Sequence, residues 1–155
     1  MPNAHSFISP SSAHRWCVCT PSARLEARLT ERFGETSSAA AEEGTKAHAL
    51  AELKLLHAKH RLGDYDGIND FNFESQREAL GDIPAEMDSN TETYVDIIVE
   101  KYITARSICP DAKLYVERRL DLDQWMPKCF GTGDAVIVGD SILNVCDLKY
   151  GKGVP

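Results

Sequence analysis

No stretch of this chain approaches the roughly 18 consecutive apolar residues that a membrane span requires. The N-terminus also lacks the charged-then-apolar order of a secretory leader, so a soluble, cytosolic chain is expected. Paired cysteine spacing is missing too. Cys17, Cys19, Cys109, Cys129 and Cys146 form an odd set with no C-x-x-C, which argues against a disulfide framework and a simple zinc site and leaves reduced thiols as the expectation. There is no internal repeat and no low-complexity tail. Nor is there a basic excess: 17 Lys and Arg against 24 Asp and Glu leave a net charge of −7. The mean field therefore repels a polyanion. That counts against nucleic-acid binding without excluding it, because bound cations neutralise clustered carboxylates and a local basic groove can coexist with an acidic exterior.

What is present suits one domain. A chain of 155 residues buries roughly two thirds of the surface that it exposes when unfolded, enough for a hydrophobic core. Ser9 can cap a short opening helix, with Pro10 at a first-turn position that needs no donor. Residues Thr30 to Ser38 read as a polar loop. From Ala39 to Arg61, Ala49, Leu50, Leu53 and Leu56 recur at helical spacing, so a second helix is expected there, with Gly44 interrupting or beginning it and Gly63 stopping it. Between Gly63 and Ile83 the periodicity is lost, and a loop or insertion is expected. Ser89-Asn90-Thr91-Glu92 has capping-box form, and Tyr94, Ile97, Ile98 and Tyr102 extend a third helix to about Ser107, with Pro110 closing the region.

After Pro110 the period changes to two. Lys113 to Glu117, Asp134 to Val138, and Ile142 to Tyr150 read as strands, the last two separated by Gly139-Asp140-Ser141. Helices followed by an antiparallel meander make an α+β domain, or the opening of a mixed α/β sheet. If Asp140-Ser141 is the hairpin loop, Gly139 pairs with Ile142, Val136 with Val145, and Asp134 with Asp147. Directly opposed residues have Cβ atoms roughly 4.5 to 5.5 Å apart, where like charges repel unless something joins them. A divalent cation does so, since hard carboxylate oxygens can share it. Strand alternation adds the Lys149 ammonium to the same face. With a three-residue loop, Asp134 instead faces Cys146 and has Asp147 as a diagonal neighbour, still within bridging reach. Acid, acid and amine suit phosphodiester hydrolysis, in which a metal activates water and lysine orients it or offsets charge.

Gly131-Thr132-Gly133-Asp134, then a hydrophobic strand, then Val145-Cys146-Asp147-Leu148-Lys149-Tyr150-Gly151 resembles the D…(D/E)-x-K core of the RecB-like branch of the PD-(D/E)XK nucleases. Ser9 through Arg15-Trp16 to Cys19 is similar to that branch's opening helix, and Gly44-Thr45-Lys46-Ala47-His48 to its G-x-x-x-H motif. The combination also resembles phage-encoded nucleases of this type. The resemblance implies the front part of a restriction-endonuclease-like core and a magnesium- or manganese-dependent deoxyribonuclease, by family weight an exonuclease. It implies His48, Asp134, Asp147 and the backbone carbonyl of Leu148 as metal ligands, Lys149 as the catalytic amine, and DNA, with phage or recombination proteins, as partners. A further strand and a helix bearing Gln-x-x-x-Tyr would lie beyond Pro155, so residues 1–155 are expected to form a single, incomplete nuclease domain. The alternative is a noncatalytic nucleic-acid-binding or assembly protein that keeps the sheet. Cys17 or Cys19 could supply the first ligand of the iron–sulfur cluster that some relatives carry, but the remaining cysteines are missing and no cluster is expected.

Other residues read more plainly. Glu117 is expected to be an exposed strand charge rather than an additional metal carboxylate, and Glu42 and Glu43 support a helix start. Trp16 and Trp125 are expected to pack rather than stack on bases. Lys152, between two glycines, is as well explained by a basic turn as by a phosphate contact. His5, His14, His57 and His60 receive no role.

Overall fold

The computed structural model describes residues 8–34, 38–64, 71–127 and 129–151. Among these, a 3₁₀ turn at Pro10–Ser12 leads into α1 (Ala13–Trp16), followed by α2 (Ser22–Phe33), α3 (Ala39–Arg61), α4 (Phe73–Ala79), α5 (Ala85–Ile108), β1 (Lys113–Asp121), β2 (Phe130–Gly139) and β3 (Ile142–Cys146). The strands form a three-stranded sheet in the order β1-β2-β3. This is an α+β fold in which helices precede an antiparallel meander, as the change of period implies. The chain divides into two compact units, Met1–Ser37 with Arg119–Thr132, and Ser38–Arg118 with Gly133–Pro155. No described helix is long and apolar enough to cross a membrane.

In the first unit the opening helix is short, and the Trp16 Nε1–H donates to Ser9 O at 2.9 Å. α2 was not foreseen. It carries Thr30 to Phe33, expected to be loop, and stops at Gly34, whose φ of +76° suits a residue without a Cβ. Arg15 pairs with Glu26 of α2 at 2.6 Å. Pro10, Ala13, Trp16, Leu122, Met126 and Cys129 line an apolar groove together with Trp125. Trp125 is exposed, contrary to the packing role expected of it.

The second unit is built on α3 and α5, which pack along each other. The Ser38 hydroxyl accepts from Ala41 N at 3.2 Å to cap α3, and Gly44 is accommodated as an ordinary helical residue. The helix ends as foreseen, by a mechanism the structure makes explicit. Gly63 has φ +74°, and the N–H groups of Gly63 and Asp64 donate to the carbonyls of His60 and Lys59, both at 3.1 Å. α4 occupies part of the expected loop, started by Asn72, whose Oδ1 accepts from Ser75 N at 3.0 Å. α5 starts before the expected capping box, immediately after Pro84. The Thr91 hydroxyl donates to Met87 O at 2.8 Å inside the helix instead of capping its end.

The β2–β3 hairpin adopts the two-residue loop, with Gly139 opposite Ile142, Val136 opposite Val145 and Ala135 opposite Cys146. A Cβ on Gly139 would lie 3.1 Å from the Cys109 sulfur, so glycine permits the close approach of this turn to the end of α5. β3 stops at Cys146 rather than running on to Tyr150. Leu55, Val95, Ile98, Tyr102, Leu114, Ala135 and Ile137 form the main core, and Ala47, Leu50 and Met87 a second cluster beside it. All five cysteines are free thiols.

Two adjacent isoleucines of α5 test this packing. Ile98 is 1% exposed and Ile97 is 47% exposed. Ile98→Ala is expected to lower unfolding stability by about 2–5 kcal/mol, and Ile97→Ala by under about 1 kcal/mol. Urea denaturation of both variants measures the difference, and equal losses would show that α5 presents a different face to the core.

Candidate metal centre

Three elements of the second unit bring one ligand-bearing side chain each to a common point. His48 on α3 follows the fully buried Ala47, which fixes that turn of the helix against the core. Asp134 lies on β2 just before the fully buried Ala135, and its side chain is 13% exposed. Glu117 lies on β1. One potential ligand atom from each of these residues lies within 4.8 Å of the other two.

His48 Nδ1 lies 3.3 Å from Asp134 Oδ2. Asp134 Oδ2 also accepts the backbone N–H of Leu148 at 2.6 Å. Where the next ladder pair would put Asp147 opposite Asp134, the chain leaves the strand and its backbone is tied to the Asp134 carboxylate. Leu148 thus meets the site through its N–H, while its side chain is buried. Burial works against ionisation of Asp134, but the hydrogen bonds from His48 and Leu148 and the charges of His48 and Lys149 outweigh it and hold this carboxyl below its ordinary 3.8. The same hydrogen bond raises His48 above 6.5 against the opposing effect of burial, helped by the charges of Asp134, Glu117 and Asp147.

Glu117 is the residue that sequence reasoning set aside. Its φ of +48° lies in the left-handed region, which costs a non-glycine residue about 1–2 kcal/mol. Although the residue as a whole is exposed, crowding of its carboxyl end by burial, followed by the charges of Asp134 and Glu52, pushes it up to about 7, against a lowering by His48. Glu52 stands one helical turn beyond His48 on α3, and burial raises its own carboxyl. The spacing from His48 to Glu52 was visible in the sequence, because residues four apart share a helix face. The turn of β1 at Glu117 was not visible, since strand alternation assumes extended backbone.

Asp147 and Lys149 form a pair of their own. Lys149 Nζ lies 2.5 Å from Asp147 Oδ2, and the lysine side chain is 82% exposed. Asp147 is outside the compact ligand set, although its charge acts on His48. The two side chains meet each other beyond the end of β3, and the Lys149 charge also acts on Asp134. Lys152 lies outside the described residues. His57 takes no part in the site and packs its ring 4.5 Å from that of Phe73.

One imidazole nitrogen and two carboxylate oxygens suit manganese, and magnesium less closely because of the imidazole. Adjacent donors on an octahedral cation with bonds of about 2.1 Å lie about 3.0 Å apart, and the 3.3 Å between His48 and Asp134 is close to that. The separations to Glu117 lie within 4.8 Å. The donor set fits a divalent cation.

The model of a family described as "Protein of unknown function (DUF2800)" matches residues 5–155. No solved structure matches the chain at a significant level.

In the cation-free protein, an NMR titration of His48 is expected to give a midpoint above 6.5, and Asp134→Asn to move it downward. The signs for stability follow from linkage. The contribution of His48 is complete below 6.5 and fades as pH rises through its raised value. That of Asp134 is present above 3.8 and is lost as pH falls through its lowered value. A His48 midpoint at or below 6.5, unmoved by Asp134→Asn, would show that the pair does not form in solution.

Proposed function

We propose that this chain, which belongs to the DUF2800 family, carries the catalytic centre of a RecB-like, metal-dependent DNA nuclease that hydrolyses phosphodiester bonds, with exonuclease action the family-weighted form. The observation that carries this reading is the meeting of His48, Glu117 and Asp134 from three separate elements at one point. Two of the three occupy the G-x-x-x-H and first-aspartate positions of the resemblance, and Asp-x-Lys follows one strand later.

His48, Glu117 and Asp134 would hold the cation, with Asp147 and the Leu148 carbonyl as further ligands that the resemblance implies. When bound, magnesium or manganese polarises a phosphoryl oxygen and lowers the pKa of water. The protein's own part is positional and electrostatic. The hydrogen bond from Leu148 N–H fixes the Asp134 carboxylate in its rotamer before anything binds. His48, docked by Ala47 against the core, presents Nδ1 toward the same oxygen. Lys149 carries a cation on an exposed stem able to swing from Asp147 to a phosphate oxygen, where it would offset developing charge or orient the attacking water. The acidic net charge of −7 requires that phosphate approach be driven by the cation and by local lysines rather than by the overall field. A noncatalytic nucleic-acid-binding or assembly role is the second reading, favoured by the pairing of Lys149 with Asp147.

Calorimetric titration with manganese chloride is expected to give binding by the wild-type chain. Binding is lost in Asp134→Ala and weakened at least tenfold in His48→Ala and Glu117→Gln, with circular dichroism confirming the fold. A nuclease assay on the same chain with manganese is expected to show a loss of roughly 10²–10³ in kcat for Lys149→Ala. Wild-type and Asp134→Ala protein that bind manganese equally would sink the metal centre. Binding without phosphodiester cleavage on any DNA end or strand would favour the noncatalytic reading.

A further inference from the structure

Acidic residues are not spread evenly over the fold. Of the 17 Lys and Arg and 24 Asp and Glu, the first unit carries 6 basic against 5 acidic residues and the second 11 against 19. The excess that repels a polyanion therefore belongs to the second unit. In the first, α2 gathers three of the six cations on one helix. Arg24, Arg28 and Arg32 recur every four residues, which stacks them along one side about 6 Å apart. Leu25, Leu29 and Phe33 recur in the same way one residue on, and form a second stripe beside the first. All six are exposed, Phe33 by 67%. Ala23 is the one buried residue of the helix, so α2 is fastened at its start and leaves both stripes uncovered.

Among the described residues none of these three arginines has an acidic partner, and the Arg32 guanidinium lies 5.2 Å from the centre of the Phe33 ring. Glu26 borders Leu29 and Phe33 on their other side, at three and seven residues' separation, and is held by Arg15 at 2.6 Å. Cations thus flank the apolar stripe on one side only. A helix that lies in a lipid surface buries a broad apolar face beneath a cationic one, and three apolar side chains bordered by a glutamate make a poor anchor. A nucleic-acid single strand offers a phosphate edge and unstacked base faces side by side, whereas a duplex hides its base faces in the stack. One cationic and one apolar stripe in parallel complement the single strand.

Resting on the nuclease reading above for the identity of the nucleic acid, we propose that the exposed side of α2 is a contact surface for single-stranded DNA, with Arg24, Arg28 and Arg32 on phosphates and Phe33, beside Leu25 and Leu29, against bases. A guanidinium takes phosphate oxygens in a bidentate pair, which suits arginine to this task better than lysine. The contact needs no cation, so it operates whether or not the metal centre is filled.

Fluorescence anisotropy of a labelled oligothymidine, and of a duplex of the same length, tests this in EDTA across a salt series, where the metal centre takes no part. The wild-type chain is expected to bind the single strand more tightly than the duplex. Combined Arg24→Gln, Arg28→Gln and Arg32→Gln substitution is expected to flatten the dependence of log K on log salt by about 2, as the loss of three phosphate contacts requires. Phe33→Ala is expected to weaken single-strand binding roughly fivefold or more while leaving that slope unchanged. Combined Arg61→Gln, Lys101→Gln and Lys113→Gln substitution removes the same charge from exposed positions of the second unit and is expected to leave the slope in place. Equal flattening by the two triple variants, or tighter binding of the duplex, would overturn the inference. Sedimentation of the chain with phosphatidylcholine–phosphatidylserine vesicles, without oligothymidine binding, would assign the surface to a membrane instead. Oligothymidine binding in a chain that fails to bind manganese would leave this surface standing without the metal centre, and manganese binding without oligothymidine binding would do the reverse.

Discussion

The carboxylate of Asp134 sits where a β-sheet meets a helical layer, and a largely buried charge there persists only if it is neutralised and hydrogen-bonded. The second unit is arranged around that requirement. α3 supplies an imidazole and the segment after β3 supplies an N–H, both to the same oxygen of Asp134. Because Leu148 N is committed to the carboxylate, it cannot continue the ladder, and β3 ends at Cys146. One side chain thereby decides where the strand stops and which way the following residues turn. Glu117 adds a second carboxylate to the same place, which raises the demand for positive charge beyond what His48 meets.

The helical layer behind the site is held by a comparable device. Lys54 of α3 is buried, and its ammonium reaches Asp88 Oδ1 at 3.0 Å, Glu92 Oε2 at 2.8 Å and the Asp88 carbonyl at 2.7 Å. Arg77 of α4 meets the same Asp88 oxygen at 3.1 Å. The hydrogen bond from Lys54 leads the effects that hold Asp88 below the ordinary carboxyl range. A buried ammonium with three acceptors fixes the register of α3 against α5 more narrowly than apolar contacts do, since a slip of one turn would leave it uncompensated. His48 and Tyr94 lie on these two helices, so that register also sets how they stand to the strands.

Much of this could be read from the sequence because it depends on period and turn chemistry. The bounds of α3, its stop at Gly63 and the hairpin register follow from apolar spacing, a glycine at a left-handed position and a two-residue loop. The misses have local causes. α4 is too short to show a period, and its start rests on a single Asn72 cap. The serine, threonine and glutamate near residue 90 mimic a helix start, but Pro84 begins the helix earlier and Thr91 turns its hydroxyl back on the helix. At the site, His48 and Asp134 were legible, and the resemblance named both. Glu117 was weighed as a metal carboxylate and set aside, and Glu52 was not singled out, because their proximity depends on a positive φ in β1 and on how α3 is rotated.

The strained residue and the buried charge bear on each other. Regular strand geometry at residue 117 would relieve the backbone and return its side chain to simple alternation. The observed φ of +48° instead accompanies a carboxyl within 4.8 Å of His48 and Asp134, where its pKa climbs to about 7. Both features are unfavourable to the isolated protein: the first costs backbone energy, and the second resists the ionised form at neutral pH. An exposed strand residue gains little from such a turn, and burial of its carboxyl end is the first cause of the raised pKa. Strain held at a cluster of ligand atoms has a physical rationale when a cation recovers the cost by converting mutual repulsion into coordination. The strained backbone and the raised carboxyl at Glu117 are two costs at one location, each of a kind that the proposed oxygen-liganded cation would relieve.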